Sequence, residues 1–200
     1  MAGTRITQEG VDSMETKNQD RISELVEKQK DTYTSMADEI WGYAEPRFQE
    51  YESSRVQQEY LASRGFSIRA DLAGEKTAFI AEWGSGKPVL AFLGEFDALS
   101  SLQQEADCTE RRPIAGKTDG HGCGHHLLGT ASVAAVDALK SYMEEKDLKG
   151  TIRLRSRHQR QDLHTGSYLP TGFLIIHPEI DFRHATILDI FLALSVRSGR

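Results

Sequence analysis

The sequence predicts an α/β fold, and three observations predict it. Apolar residues recur at spacings of three and four in the first third, two short apolar runs of strand character flank a Gly-rich turn, and a further amphipathic helix precedes another strand. The 200 residues suffice for one domain with a real core and are too few for two large ones.

Residues 1 to 17 form a polar lead, expected to be mobile. From Arg21 to Ala44 the apolar positions Ile22, Leu25, Val26, Tyr33, Met36, Ala37, Ile40, Trp41 and Ala44 predict one amphipathic helix, ended by Pro46. A second helix is expected over Ser53 to Arg64, with Val56, Tyr60 and Leu61 inward and Gly65 at its left-handed stop. The period then changes. Thr77 to Trp83 reads as a strand, Gly84 to Lys87 as a turn, and Pro88 to Leu93 as a strand apolar enough for burial on both faces; together they predict an antiparallel pair running into Gly94-Glu95-Phe96-Asp97. After a long loop, His126 to Lys146 places Leu127, Leu128, Ala131, Ala134, Ala135, Ala138, Leu139 and Tyr142 on one helical face. Gly150 closes this helix and Thr151 to Leu154 starts another strand, with no internal repeat anywhere.

A formal charge of −6 argues against a general affinity for nucleic acid or anionic membrane. No segment approaches the roughly 18 apolar residues of a membrane span, and the polar N-terminus has no signal-peptide core, so a cytoplasmic location is expected. Two cysteines, Cys108 and Cys123, make no disulfide framework and fit a reducing compartment.

The chemistry concentrates in Gly120-His121-Gly122-Cys123-Gly124-His125-His126. Cysteine and histidine are the ligands of zinc and related divalent ions, and glycine lets side chains two residues apart, such as Cys123 and His125, swing toward one point. The turn also opens a helix, whose N-terminal dipole favours a thiolate. The other half of such a site belongs at the carboxyl end of a buried strand, where Asp97 stands, with Glu95 two residues earlier on the same side. Asp97 is suited to hydrogen-bond a ligating histidine or to bind metal itself. Rival motifs fail on spacing: Leu127 stands where a dinucleotide loop needs its last glycine, and Arg111 where a phosphate loop needs its first. A Cys123 nucleophile paired with His121 or His125 ranks second among mechanisms. Cys108 reads as a plain loop or small core residue, and Glu144-Glu145 as a solvated face.

Four segments carry a family resemblance: Ala37-Asp-Glu-Ile-Trp41 followed by Glu45-Pro-Arg-Phe48; Gly86-Lys-Pro-Val89; Gly94-Glu-Phe-Asp-Ala-Leu99; and Gly120-His-Gly-Cys-Gly-His-His-Leu-Leu-Gly-Thr130. Through them the chain resembles the metal-dependent amidohydrolases of the aminoacylase and carboxypeptidase superfamily, in the branch of the aminobenzoyl-glutamate hydrolases. The resemblance implies part of a three-layer α/β/α zinc-exopeptidase-like catalytic domain over residues 18–153. It implies hydrolysis of an amide bond in an N-acyl or aminobenzoyl amino acid or dipeptide-like substrate, with a divalent metal, Zn or Mn. By analogy Cys123 and His125 match metal ligands, Asp97 matches the catalytic acidic residue behind them, and His121, His126 and Glu95 stand around them. A homo-oligomer is expected of the full-length family, though its dimerisation domain is absent here. His126 departs from the usual Asn or Asp, and Ser100 from the usual Pro.

The likeness stops near Arg153, and residues 154–200 form a divergent tail. The last 50 residues hold seven Arg, no Lys and four acidic residues, a net of +3 within a chain of −6. No Glu-Glu pair occurs there, Glu179 is its only glutamate, and His158, His164, His177 and His184 match no family position. The family's general base and later ligands are therefore missing, and the alternative to an enzyme is an inactive, truncated remnant that binds only metal or a partner. This abrupt change predicts an out-of-frame, intron-derived or alternatively spliced ending on a truncated gene model. Transcript sequencing checks it: a spliced message reading uninterrupted through codon 154 in this frame, and yielding stable protein, is the result that excludes it.

Overall fold

The computed structural model describes residues 8–156 and 175–176, with side chains from residue 17 to residue 156. The predicted first helix is two. Helix α1, Gln8–Lys28, starts inside the expected polar lead, and α2, Lys30–Tyr43, follows after Gln29 leaves helical geometry at φ −109°. The break re-aims the apolar stripe, so that Leu25 and Val26 before it and Tyr33 after it all meet Ala134 and Ala138. Helix α3, Tyr51–Ser63, ends as expected, with Gly65 at φ +86° and the Phe66 N–H donating to Leu61 O.

Strand β1, Ser67–Leu72, carries no strand signal in the sequence, because its largely exposed SIRADL stretch has no apolar run. It pairs antiparallel with β2, Glu75–Ser85. Strand β3, Val89–Gly94, is half-buried rather than covered on both faces, and it does not pair with β2. Strand β6, Gly150–Ser156, lies between them, antiparallel to β2 and parallel to β3, giving the order β1-β2-β6-β3. The reason is the helix α4, His125–Glu145: it supplies the crossover that joins two parallel neighbours, so β3, α4 and β6 form one βαβ unit. The predicted hairpin yields to it. Gly84, at φ +85°, allows β6 to close in, since a Cβ there would stand 2.2 Å from Gly150 O. Short strands β4, Leu99–Ser100, and β5, Asp119–Gly120, pair apart from this sheet, and β7, Ile175–Ile176, pairs with Leu90 and Ala91 of β3.

The core lies between the helices and one sheet face, where Ile40, Leu61, Phe79, Phe96, Val133, Val136, Ile152 and Leu154 pack together. On β6 the alternate Arg153 and Arg155 are exposed, so the described helices cover one face only. Leu154 and Ser156 are buried and paired, so the strand continues past the expected boundary at Arg153. The remaining tail readings, including Glu179 and the four later histidines, lie outside the described residues. No helix among the described residues is long and apolar enough to cross a membrane.

One buried carboxylate ties three helices together. Asp137 of α4 accepts hydrogen bonds from the Tyr33 hydroxyl at 2.8 Å, the Tyr60 hydroxyl at 2.7 Å and Arg64 Nε at 2.7 Å. Burial above all, and the Asp137 charge with it, raises the Tyr33 phenol pKa, so it stays a donor. Asp137→Ala leaves a buried hydroxyl and a partly buried guanidinium without their acceptor; urea unfolding is expected to show a loss of about 2–4 kcal/mol. An unchanged midpoint would remove this network from the forces holding α2 and α3 on α4.

Candidate metal centre

Past β3 the chain is held by backbone. The Ala98 N–H donates to Glu45 O at 2.8 Å, and Pro46 and Ala98 form a parallel bridge. The Glu45 carboxylate accepts from the Glu52 and Ser53 N–H groups at 2.9 and 2.8 Å, capping the start of α3. Glu45 therefore anchors both a helix and the Glu95–Asp97 segment, a role invisible in its position before Pro46. Phe96 enters the core against Phe79, and its neighbours Glu95 and Asp97 both reach His125.

Helix α4 presents His125 from the other side. Gly124 is its N-cap at φ 82°, and the turn before it closes with the Gly124 N–H on His121 O at 2.9 Å. The helix lies close because Gly129 has no side chain; a Cβ there would stand 2.9 Å from Phe96 Cβ and 3.0 Å from Glu95 O. Ser132 Oγ, nearly one turn on, donates to Leu93 O at 3.0 Å.

Asp97 and His125 are 3% and 2% exposed. His125 Nδ1 donates to Asp97 Oδ1 at 2.9 Å, which leaves Nε2 as the lone-pair nitrogen of the neutral ring. Nε2 is buried without a hydrogen-bond partner among the described residues, and Glu95 Oε2 faces it at 3.8 Å. One donor atom each from Glu95, Asp97 and His125 lie within 4.8 Å of one another. The Asp97 hydrogen bond raises the His125 pKa against the opposing effect of burial. An imidazole nitrogen with adjacent carboxylates is a donor set that fits a divalent metal.

The other expected residues divide. Cys123 is exposed and stands outside this cluster. His121 Nε2 donates to Ile40 O at 3.1 Å, and its ring lies 4.9 Å from that of His126. Trp41 packs on both, at 6.2 and 4.9 Å between centroids. Ile40 and Trp41, read in the sequence only as apolar positions of a helix, seat the histidine turn in the fold. Glu144 and Glu145 pair with Lys140 and Arg21 on the helix surface, a solvated face as expected.

No protein-family model matches the chain. It is 42% identical over 132 residues to a subunit of the p-aminobenzoyl-glutamate hydrolase of Escherichia coli (strain K12), a match covering 66% of this chain and 27% of that protein. The chain thus spans about a quarter of the length of this curated relative. A solved structure described as an aminohydrolase from methicillin resistant Staphylococcus aureus superposes with a TM-score of 0.53 at 16% identity, covering 69% of this chain and 34% of that one, and shows the shared fold.

Burial lowers the pKa of both His121 and His126 from 6.5 to about 4. Both stay neutral when folded yet take up protons when unfolded, so the stability this contributes is full above pH 6.5 and lost as pH falls toward 4. Urea midpoints of the chain in EDTA are expected to drop between about pH 7 and pH 4.5, and His126→Asn to flatten that drop. A variant slope equal to the wild type's would assign the acid sensitivity elsewhere.

Proposed function

We propose, with kinship to that hydrolase as the premise, that this chain carries part of the centre of a metal-dependent amidohydrolase. Its substrate class is an N-acyl or aminobenzoyl amino acid, or a dipeptide-like amide. The observation that carries this reading is the buried His125, its Nδ1–H held by Asp97 and its Nε2 presented without a hydrogen bond beside Glu95.

When bound, a divalent ion, Zn or Mn, supplies a Lewis acid for the scissile carbonyl and lowers the pKa of a coordinated water. His125 would hold it through Nε2. Asp97 is the positioning residue: it keeps the proton on Nδ1, fixes the ring and raises the basicity of Nε2. His121 and His126, packed on Trp41, seat the turn from which His125 projects. The resemblance gives Cys123 a ligand role, but its thiol lies at the surface and the group facing Nε2 in the fold is Glu95. Both cysteines are free, which supports a reducing, cytoplasmic setting. The relative is named as one subunit of its hydrolase, which supports a protein partner besides the small-molecule amide.

A second reading, a chain that binds metal without turnover, is favoured by the cluster itself. Among the described residues it holds three donors, and the two carboxylates both face His125. Metal content by mass spectrometry and hydrolysis of aminobenzoyl-glutamate separate the two. Near-stoichiometric metal is expected, absent in His125→Ala and held about 10–100-fold more weakly in Asp97→Asn, with metal-dependent hydrolysis above background. Metal without hydrolysis would support the second reading, and no metal in the folded chain would overturn both.

A further inference from the structure

We infer that Phe48 is the residue that takes the aromatic acyl group of the substrate, an inference that rests on the amidohydrolase reading above. Pro46, Arg47, Phe48 and Gln49 form a tight turn, closed by the Gln49 N–H on Pro46 O at 3.0 Å. Phe48 stands at its third position with φ +70°. A type II turn favours glycine or asparagine there, because the Cβ of other residues crowds the backbone at positive φ. A bulky aromatic in that conformation is strained, and burial does little to offset the strain, since Phe48 is 49% exposed. Such outliers persist where the surrounding structure holds them, and they cluster at sites that clamp ligands.

The turn is held at both ends beside the candidate centre. Before it, Pro46 bridges Ala98 and Glu45 O accepts from the Ala98 N–H, so the turn springs from the neighbour of the residue that follows Asp97. After it, the Glu45 carboxylate on the Glu52 and Ser53 N–H groups fixes the start of α3. The Arg47 guanidinium lies over the Phe48 ring, 4.7 Å from its centroid, and restrains it. A ring restrained in this way loses little freedom when a second ring packs against it. An aliphatic acyl group offers no π-face, so the same turn would distinguish an aminobenzoyl amide from an N-acetyl one.

Isothermal titration of the full chain in EDTA with aminobenzoyl-glutamate and with N-acetylglutamate tests this without turnover. The wild type is expected to bind the aminobenzoyl amide about three- to tenfold more tightly than the N-acetyl one. Phe48→Gly should lose that preference while holding N-acetylglutamate as the wild type does, and Phe48→Tyr should keep it. Glycine suits a positive φ, so the turn survives the first change. A preference unchanged in Phe48→Gly, or equal affinities in the wild type, would overturn the inference and leave the amidohydrolase reading standing. Binding of neither amide by the folded wild type would overturn it as well, and metal uptake by the same sample then decides whether the metal-dependent reading falls with it.

Discussion

Helix α4 is surrounded, and most other features answer to that constraint. It touches α1, α2, α3, β3 and β6, and fourteen of its 21 residues are buried. A helix enclosed on so many sides tolerates bulk on few of them, hence Ala131, Ala134, Ala135 and Ala138 where other elements approach. Enclosure also makes polar side chains costly unless they are partnered. Asp137 meets the demand with three donors, and Lys140 with Glu144 and the face of Trp83 at 5.2 Å. These contacts fix the rotation of α4 about its axis. His125, Gly129, Ser132 and Val136 follow at spacings of four, three and four, so they form one stripe. That stripe meets Asp97, then Phe96 and the Glu95 carbonyl, then Leu93, then the core. The candidate centre is the first contact along a packed seam.

Three histidines within six residues have opposite acid-base behaviour for local reasons. His125 gains a buried carboxylate and its pKa rises, while His121 and His126 gain only burial, a backbone carbonyl and an indole, and theirs fall. Asp97 thus distinguishes the metal-suited histidine from its structural neighbours. The neutral pair has a mechanical task, since the His121 hydrogen bond to Ile40 O fastens the turn to the end of α2.

Much of this is legible in the sequence where one residue's neighbours are local. The period of three and four locates the helices, Gly65 ends α3, and a strand-end acidic residue with a Gly-rich histidine turn marks Asp97 and His125. What stays hidden depends on contacts between distant segments. The pairing of β2 with β6 follows from α4 crossing over the sheet, and a run such as Pro88 to Leu93 does not specify which strand lies beside it. Gln29 carries no break signal, and it opens the helix because Leu25, Val26 and Tyr33 share one target. Cys123, two residues from His125 in the chain, is exposed in the fold and stands outside the group of Glu95, Asp97 and His125.

The sheet topology also says from where a fuller coordination sphere is to be built. A zinc ion typically takes four ligands and harder ions take more, which exceeds the three donors that Glu95, Asp97 and His125 offer among the described residues. In the parallel register Gly94 stands opposite Ser156, so β3 delivers Glu95 and Asp97 at the end of the sheet where β6 also finishes. Open α/β sheets collect their chemistry at the carboxyl ends of neighbouring strands for this reason, since side chains from consecutive parallel strands emerge together there. An antiparallel pairing of β2 with β3 would have brought the amino-terminal end of β2 beside the carboxyl end of β3. The insertion of β6, which overturns the hairpin read from the sequence, is thus what gives the site a second strand end pointing the same way.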